Sequence, residues 1–290
     1  MTIRGRSIVL REFTPLLDRT VTPSEEYLTT TDGSLAAESF ALRVDANGFL
    51  ETGNPVRGTT PLYILGDSFS EAVFEHEDRR FSSIVERKLT AAGLNYRVLN
   101  ASYSRATTLH MLNVLINKVL SGSITPGTTV IYFRSQVDVQ IESAVGSYWN
   151  DFGLYSPLQP TNASTDEITH LESHDHDGSR RLLNTMVDVC EEFEIRLLLG
   201  TAPARRTNRA DDEVLQKYFA NDSQWQARMR LRREANELVR QVAASRGIPL
   251  IDADRHFEIQ GGGLYDFTHM NSAGQVLLAD LLLDHMVALR

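Results

Sequence analysis

A short apolar run that ends abruptly at a glycine constrains the fold of this chain more than any other feature. Residues 62–65 read Leu-Tyr-Ile-Leu, and Gly66-Asp67-Ser68 follow directly. The run predicts a buried strand, and a glycine allows a sharp turn at its carboxyl end. Ligands bind at that end of the strands in open α/β sheets. We therefore expect Ser68 at the mouth of a crevice, where a nucleophilic serine needs a base, a residue that orients the base, and oxyanion donors.

Four more runs with strand character follow Ser68, and they alternate with helical patterns. The strand-like runs lie at residues 96–100, 129–133, 195–200 and 248–252. Apolar residues recur at helical spacing in residues 81–89, 107–120, 181–193, 226–245 and 272–289. This alternation predicts a three-layer α/β/α domain, with a five-stranded parallel sheet in flavodoxin-like order and helices on both faces.

The predicted α/β domain spans residues 61–290, and other segments interrupt or precede it. Residues 1–60 are irregular and polar, so we interpret them as an N-terminal arm packed on the main domain. A strand-like stretch at 40–45 followed by Asn47-Gly48 indicates a small hairpin within the arm. Polar insertions lie at about 137–177 and 204–221. A connection as long as the first is usually a lid or a binding loop.

Composition excludes several classes of protein. The net charge of −9 argues against a nucleic-acid-binding surface, which is usually basic. No stretch approaches the roughly 18 to 20 apolar residues of a membrane span, so we expect a soluble, cytoplasmic protein. The single cysteine, Cys190, allows no internal disulfide and is expected to be a buried thiol. The oligomeric state stays open.

One of the eight histidines follows a carboxylate at a useful spacing. Asp266 and His269 lie three residues apart, just before the last predicted helix, which Asn271 or Ser272 can cap. The carboxylate can hold the second nitrogen of the imidazole and stabilise the imidazolium. Taken alone, the pair is equally compatible with a capping aspartate and a surface histidine. Together with Gly-Asp-Ser it predicts a base for Ser68.

These two motifs resemble the first and last sequence blocks of the SGNH (GDSL-type) hydrolases. The resemblance covers about residues 60–290 and rests on Gly66-Asp67-Ser68 and on Asp266-x-x-His269. It implies a flavodoxin-like α/β/α fold and an esterase, lipase, thioesterase, deacetylase or acyl-transfer activity on a small-molecule ester or acyl substrate. It also implies that Ser68 is the nucleophile, His269 the base and Asp266 its orienter. No metal or organic cofactor is implied.

The middle blocks, which form the oxyanion hole in that family, are altered here. Residues 100–107 read Asn-Ala-Ser-Tyr-Ser-Arg-Ala-Thr, with Arg105 where the family commonly has glycine. In the next block, Gln136 and Val137 stand where asparagine and aspartate are common. A backbone N–H survives a change to arginine, at a cost of about 1 kcal/mol or more if φ must be positive. The resemblance thus implies an oxyanion hole formed by the N–H groups of Ser68 and Arg105 and by the Gln136 side chain.

The two arginines of these blocks have two interpretations. In the first, Arg105 and Arg134 face the crevice and, with Asp67, contact a carboxylate- or phosphate-bearing substrate, because guanidinium groups pair with such groups in a bidentate manner. In the second, both arginines pair with acidic residues and hold loops together. The sequence leaves both open.

Several weaker candidates have a plain structural explanation. The run His174-Asp175-His176-Asp177 could suggest a metal site, but successive residues rarely converge on one ion. We interpret His76 as an exposed loop histidine. The aromatic residues Tyr148, Trp149 and Tyr155 could line an acyl pocket or form a small separate core. A last group of arginines spreads around a helix and includes a solvated face: Arg228, Arg230, Arg232 and Arg233.

The leading functional hypothesis is a serine-dependent acyl hydrolase that acts through an acyl-enzyme on a small ester, which is anionic under the first interpretation of the two arginines. The first alternative is an acyltransferase, which shares the acyl-enzyme half-reaction and differs only in its acceptor. The second alternative is a non-catalytic binding module with a degenerate oxyanion hole.

Overall fold

The computed structural model describes residues 11–145, 148 and 176–289. Seven strands lie in this part of the chain: β1 (Asp18–Val21), β2 (Phe40–Arg43), β3 (Thr60–Leu65), β4 (Tyr96–Asn100), β5 (Thr129–Phe133), β6 (Arg196–Gly200) and β7 (Leu250–Ile251). The α-helices of the described residues are α1 (Glu25–Thr29), α2 (Ser68–Glu71), α3 (Phe81–Ala91), α4 (Thr108–Leu120), α5 (Asp138–Gln140), α6 (Asp177–Glu192), α7 (Glu213–Tyr218), α8 (Asp222–Arg246), α9 (Ala253–Gln260) and α10 (Ser272–Ala288). Short 3₁₀ helices lie at Glu77–Arg79 and Arg209–Asp211, and a π-helix lies at Ile141–Val145.

The central sheet has five parallel strands in the order β4-β3-β5-β6-β7. β3, the first of these strands along the chain, therefore lies second in the sheet. β4 lies on one side of it, and β5, β6 and β7 follow in order on the other side. This is the flavodoxin-like order, so the predicted fold class is confirmed. The carboxyl ends of β3, β4 and β5 lie at one edge, where the chain also leaves the sheet towards Ser68.

Side chains alternate between the two faces of the sheet and build one apolar layer on each face. In β3, Tyr63 and Leu65 pack with α4, α6 and α8, whereas Leu62 and Ile64 pack with α3, α9 and α10. Cys190 of α6 is buried in the first layer, as predicted. The helices thus cover both faces, as the three-layer prediction requires.

Most predicted elements are present, and the differences have local causes. β7 is only two residues long, partly because Pro249 has no N–H to donate. Helix α9 was not predicted, since its only buried apolar side chains are Ala253 and Phe257. Helix α7 lies within the insertion at 204–221. Asn271 rather than Ser272 caps α10, and its side chain accepts the N–H of Gly274.

The described residues before β3 pack against the end of the sheet from which the chain leaves towards Ser68. β1 pairs antiparallel with β2, and Val44 bridges to Leu50 across the turn that contains Asn47-Gly48. Leu50 also bridges to Asn100, so the segment extends the sheet beyond β4. Among the described helices, none combines the length and apolar character needed to cross a membrane.

Candidate active site

The loop that carries Ser68 is held in a tight conformation. Asp67 caps α2, and its Oδ1 accepts the N–H of Phe69 at 3.0 Å. Ser68 is the first residue of that helix. A Cβ on Gly66 would lie 2.2 Å from Ser70 Oγ and 3.3 Å from the carbonyl oxygen of Phe133. A larger residue at position 66 therefore requires the Ser70 side chain to move, so glycine favours the tight turn before Ser68.

The structure brings Ser68, His269 and Asp266 into a hydrogen-bonded chain. His269 Nε2 lies 2.8 Å from Ser68 Oγ, and His269 Nδ1 lies 2.7 Å from Asp266 Oδ2. The other oxygen of Asp266 accepts the backbone N–H groups of Thr268 at 2.7 Å and of His269 at 2.6 Å. This is the relative arrangement in which an imidazole accepts a serine proton while a carboxylate fixes its orientation.

The electrostatics of the pair suit a histidine base. Burial disfavours the charged form of Asp266, but His269 and the backbone N–H donors outweigh it and lower the pKa of Asp266 to about 2. Burial likewise lowers the pKa of His269, yet the charge and hydrogen bond of Asp266 dominate and raise it above its ordinary value. Asp266 is therefore ionised throughout the neutral range and stabilises the imidazolium.

Three tyrosines surround the Asp266–His269 pair, and sequence reasoning identified none of them. Tyr27 of α1 donates a hydrogen bond from its hydroxyl to Asp266 Oδ2 at 2.8 Å. The hydroxyl of Tyr218 lies 3.5 Å from the same oxygen. The ring of Tyr265 stacks on the imidazole of His269, with centroids 5.8 Å apart and an interplanar angle of 16°. Tyr27 and Tyr218 reach Asp266 from distant parts of the chain, so no local pattern marks them, whereas Tyr265 directly precedes Asp266 in the sequence.

The predicted oxyanion donors lie around the same cavity as Ser68. Arg105 has a φ of +63°, the left-handed conformation that glycine adopts readily. Its side chain is exposed. Ser68 occupies the first helical position of α2, where an N–H has no partner within the helix. Gln136 is buried, and its Oε1 has no hydrogen-bond partner.

Asp67 and Arg134, predicted to contact substrate, are both buried. Asp67 Oδ2 accepts the backbone N–H of Gln136 at 2.7 Å, so Asp67 ties the Ser68 loop to the Gln136 loop. The guanidinium of Arg134 lies near Asp138 and counteracts the rise in the pKa of that carboxyl. Among the described residues that line the cavity, Asp67 is present and Arg134 is not. The structure therefore brings Arg105, but not Arg134, to the cavity.

The cavity beside Ser68 has a volume of about 700 Å³, and two arginines of α8 form part of its wall. Arg228 and Arg232 both line it. Sequence reasoning placed them in a basic cluster with a solvated face, but Arg232 is only 6% exposed. It lies three residues after Met229 and three before Ala235, both buried, so an arginine within an apolar helical stripe was the available signal.

His76, His176 and Tyr148 are not among the described residues that line this cavity. His76 is partly exposed, and its Nε2 lies 3.1 Å from Glu38. His176 Nδ1 lies 2.8 Å from Glu142, and within the described residues no three potential metal ligands are grouped. Tyr148 shares a 2.7 Å hydrogen bond with Ser179. His174, Asp175, Trp149 and Tyr155 lie outside the described residues.

Comparison with solved structures identifies the fold. No family model matches the chain, and no curated protein matches it. The acetylxylan esterase Axe2 from Geobacillus stearothermophilus superposes with a TM-score of 0.53 at 16% identity, covering 80% of this chain and 96% of that one. A lipolytic protein of the G-D-S-L family from Veillonella parvula DSM 2008 gives 0.52 at 14%, covering 78% and 97%. LAE5, an alpha/beta hydrolase from the metagenome of Lake Arreo, Spain, gives 0.54 at 20%, covering 81% and 98%.

These similarities show that the chain has the SGNH (GDSL-type) hydrolase fold, as the sequence resemblance implied. At such identities the likeness extends to the fold alone. The reaction must be argued from the side chains of this chain.

Proposed function

We propose that this protein is a serine-dependent acyl hydrolase that cleaves esters through an acyl-enzyme. The observation that carries the proposal is the hydrogen-bonded chain from Ser68 Oγ through His269 to Asp266, with distances of 2.8 and 2.7 Å. Ser68 lines a cavity of about 700 Å³, a volume within the size range of small-molecule sites. The fold shared with esterases and lipolytic proteins supports the same reaction class.

The reaction follows from the geometry. Ser68 Oγ attacks the ester carbonyl while His269 Nε2 takes its proton, and Asp266 stabilises the imidazolium that forms. His269 then returns the proton to the leaving alcohol as the tetrahedral intermediate collapses to the acyl-enzyme. In the second half, His269 takes a proton from water as the water attacks the acyl-enzyme. His269 then returns that proton to Ser68 Oγ as the acid is released, which regenerates the free serine and the neutral imidazole.

The negative oxygen of each tetrahedral intermediate needs nearby donors. We propose the N–H groups of Ser68 and Arg105, together with the side chain of Gln136. The positive φ of Arg105 supports this, because the backbone there adopts a conformation that glycine takes readily. Asp67 holds the backbone of Gln136 in place, because its carboxylate accepts the N–H of Gln136. Loss of one such donor typically costs roughly 10²–10³ in kcat, so Gln136→Ala measures the share of that side chain.

A serine-directed probe tests the nucleophile. A fluorophosphonate should label the wild type at Ser68, and the label should be absent in Ser68→Ala and strongly reduced in His269→Ala. Ser245→Ala, at an exposed position of α8, is the matched control and should be labelled like the wild type. An unlabelled wild type would overturn the proposal and favour the binding module.

Turnover is measured with 4-nitrophenyl acetate. The wild type should release nitrophenol catalytically, and Ser68→Ala should lose that activity. Labelling without hydrolysis of any ester would instead indicate that water is not the acceptor and would favour the acyltransferase.

A further inference from the structure

We propose that the cavity contains a subsite for an anionic group of the substrate, formed by Arg232, so that the preferred ester carries a carboxylate or phosphate. The inference rests on the proposed ester hydrolysis, because it assigns a substrate class to that site. The sequence suggested Arg134 as a contact for such an anion, whereas the structure places Arg232, from the long helix α8, in the cavity wall.

Arg232 is a buried cation in the wall of the catalytic cavity. Arg232 is 6% exposed and lines the same cavity as Ser68 and His269. The guanidinium carbon lies 4.2 Å from the centroid of the Phe267 ring, two residues before His269. The stacking holds the planar group in one orientation.

This cation lacks the partners that buried charges normally have. Its shortest hydrogen bond runs from Nη1 to the carbonyl oxygen of Pro203 at 3.5 Å, and its buried Nε has no partner. No carboxylate of the described residues lies within ion-pair distance of the guanidinium. Burying an arginine in this state is costly, so the fold gains nothing from the charge by itself.

The surrounding charges make the position more unfavourable still. Burial, Arg134 and Arg228 together lower the pKa of Arg232 to about 9, which leaves it protonated at neutral pH. Asp67 and Asp266 act in the opposite direction but are hydrogen-bonded elsewhere, to Gln136 and to His269. Arg105, Arg228 and Arg232 thus line the cavity, and no carboxylate of the described residues forms an ion pair with Arg232. A carboxylate or phosphate in the cavity would supply the missing charge and the acceptor for Nε.

The kinetic test compares two esters of matched size. One is the 4-nitrophenyl monoester of succinic acid, and the other is its neutral methyl ester. We expect the wild type to prefer the anionic ester in kcat/KM. Arg232→Met should lower the ratio of kcat/KM for the anionic ester to kcat/KM for the neutral ester by about 10- to 100-fold, mainly by raising KM for the anionic ester. Arg230→Met, at a largely exposed position of the same helix, is the control and should keep the preference.

A binding test identifies the anion and does not depend on turnover. At constant ionic strength set with sodium chloride, succinate and inorganic phosphate are titrated separately while Tm is recorded. A rise in the Tm of the wild type that Arg232→Met abolishes supports the subsite, and the more effective anion shows whether it prefers carboxylate or phosphate. The Tm of Arg232→Met without anions should equal or exceed that of the wild type, because a costly buried charge is removed.

The inference would be overturned if the wild type had equal kcat/KM values for the two esters and neither anion raised its Tm. If Arg232→Met does not fold, Arg232→Lys keeps the charge but loses the planar fork, and a reduced preference for the anionic ester is then expected. Fluorophosphonate labelling separates the two proposals. Labelling at Ser68 without anion preference refutes only the subsite, whereas absence of labelling refutes the hydrolase even if an anion binds.

Discussion

The hydroxyl of Tyr27 donates a 2.8 Å hydrogen bond to Oδ2 of Asp266, the same oxygen that faces His269. The two residues are 239 positions apart in the chain. The segment before β3 therefore contributes directly to the surroundings of Asp266 and His269, in addition to packing on the sheet. Tyr27 acts through Asp266 and is a positioning residue in the proposed reaction.

Removing the Tyr27 hydroxyl should alter the basicity of His269. In Tyr27→Phe, Asp266 loses a donor that competes with the imidazole for Oδ2, so the imidazolium is better stabilised and the pKa of His269 rises. We expect the acid limb of kcat/KM to move to higher pH, with a loss of about 10-fold or less at its plateau. Tyr218→Phe, whose hydroxyl lies 3.5 Å from the same oxygen, should shift the limb less. A limb that does not move in Tyr27→Phe would restrict Tyr27 to a packing role.

The activity of the wild type should fall on acidification at an unusually high pH for a histidine base. His269 must be neutral to accept the Ser68 proton, and Asp266 raises its pKa. The value of kcat/KM should therefore rise with pH through a midpoint above the ordinary histidine value of about 6.5. Asp266→Asn removes the charge that raises the pKa, so its midpoint should lie lower and its plateau should fall steeply. A pH profile of both proteins on 4-nitrophenyl acetate measures this, and an upward shift in Asp266→Asn would contradict it.

Arg105 should tolerate glycine much better than a β-branched residue. At φ +63°, Arg105→Gly keeps the N–H and removes the Cβ conflict, which offsets the extra freedom of glycine in the unfolded chain. We expect hydrolysis of a neutral ester to stay within about 10-fold of the wild type. Arg105→Val should destabilise the fold by about 1–2 kcal/mol or more. Urea unfolding with ester assays checks both variants, and a large loss of activity in Arg105→Gly would show that the side chain, not the backbone, is required.

The clash at Gly66 should be relieved by a second substitution. In Gly66→Ala the new methyl group meets Ser70 Oγ, which must leave its 2.8 Å hydrogen bond to Ser102. We expect a loss of about 1–3 kcal/mol in the free energy of unfolding. In a Ser70→Ala background the same change should cost less, and a double-mutant cycle by urea unfolding measures the coupling. Independent, additive effects would place the strain elsewhere, at the Phe133 carbonyl.

What the sequence predicted well is local. The sheet strands and main helices follow from apolar periodicity, and the motifs at Ser68 and at Asp266–His269 mark residues that the structure brings together. Tyr27 and Arg232 were missed for different reasons. Tyr27 contacts Asp266 across 239 positions of the chain, and no local sequence pattern indicates such a contact. Arg232 lies on a helix with several arginines, which favoured a solvent-exposed interpretation over the signal from its buried neighbours Met229 and Ala235.

Ser68 and His269 are separated by 201 residues, and His269 lies just before the last helix. During synthesis Ser68 therefore leaves the ribosome long before His269, the base of the proposed reaction. A nascent or prematurely terminated chain that ends before residue 269 carries an ordinary, weakly reactive hydroxyl at position 68. The reactivity proposed for Ser68 thus depends on the synthesis and folding of a segment 201 residues later in the chain.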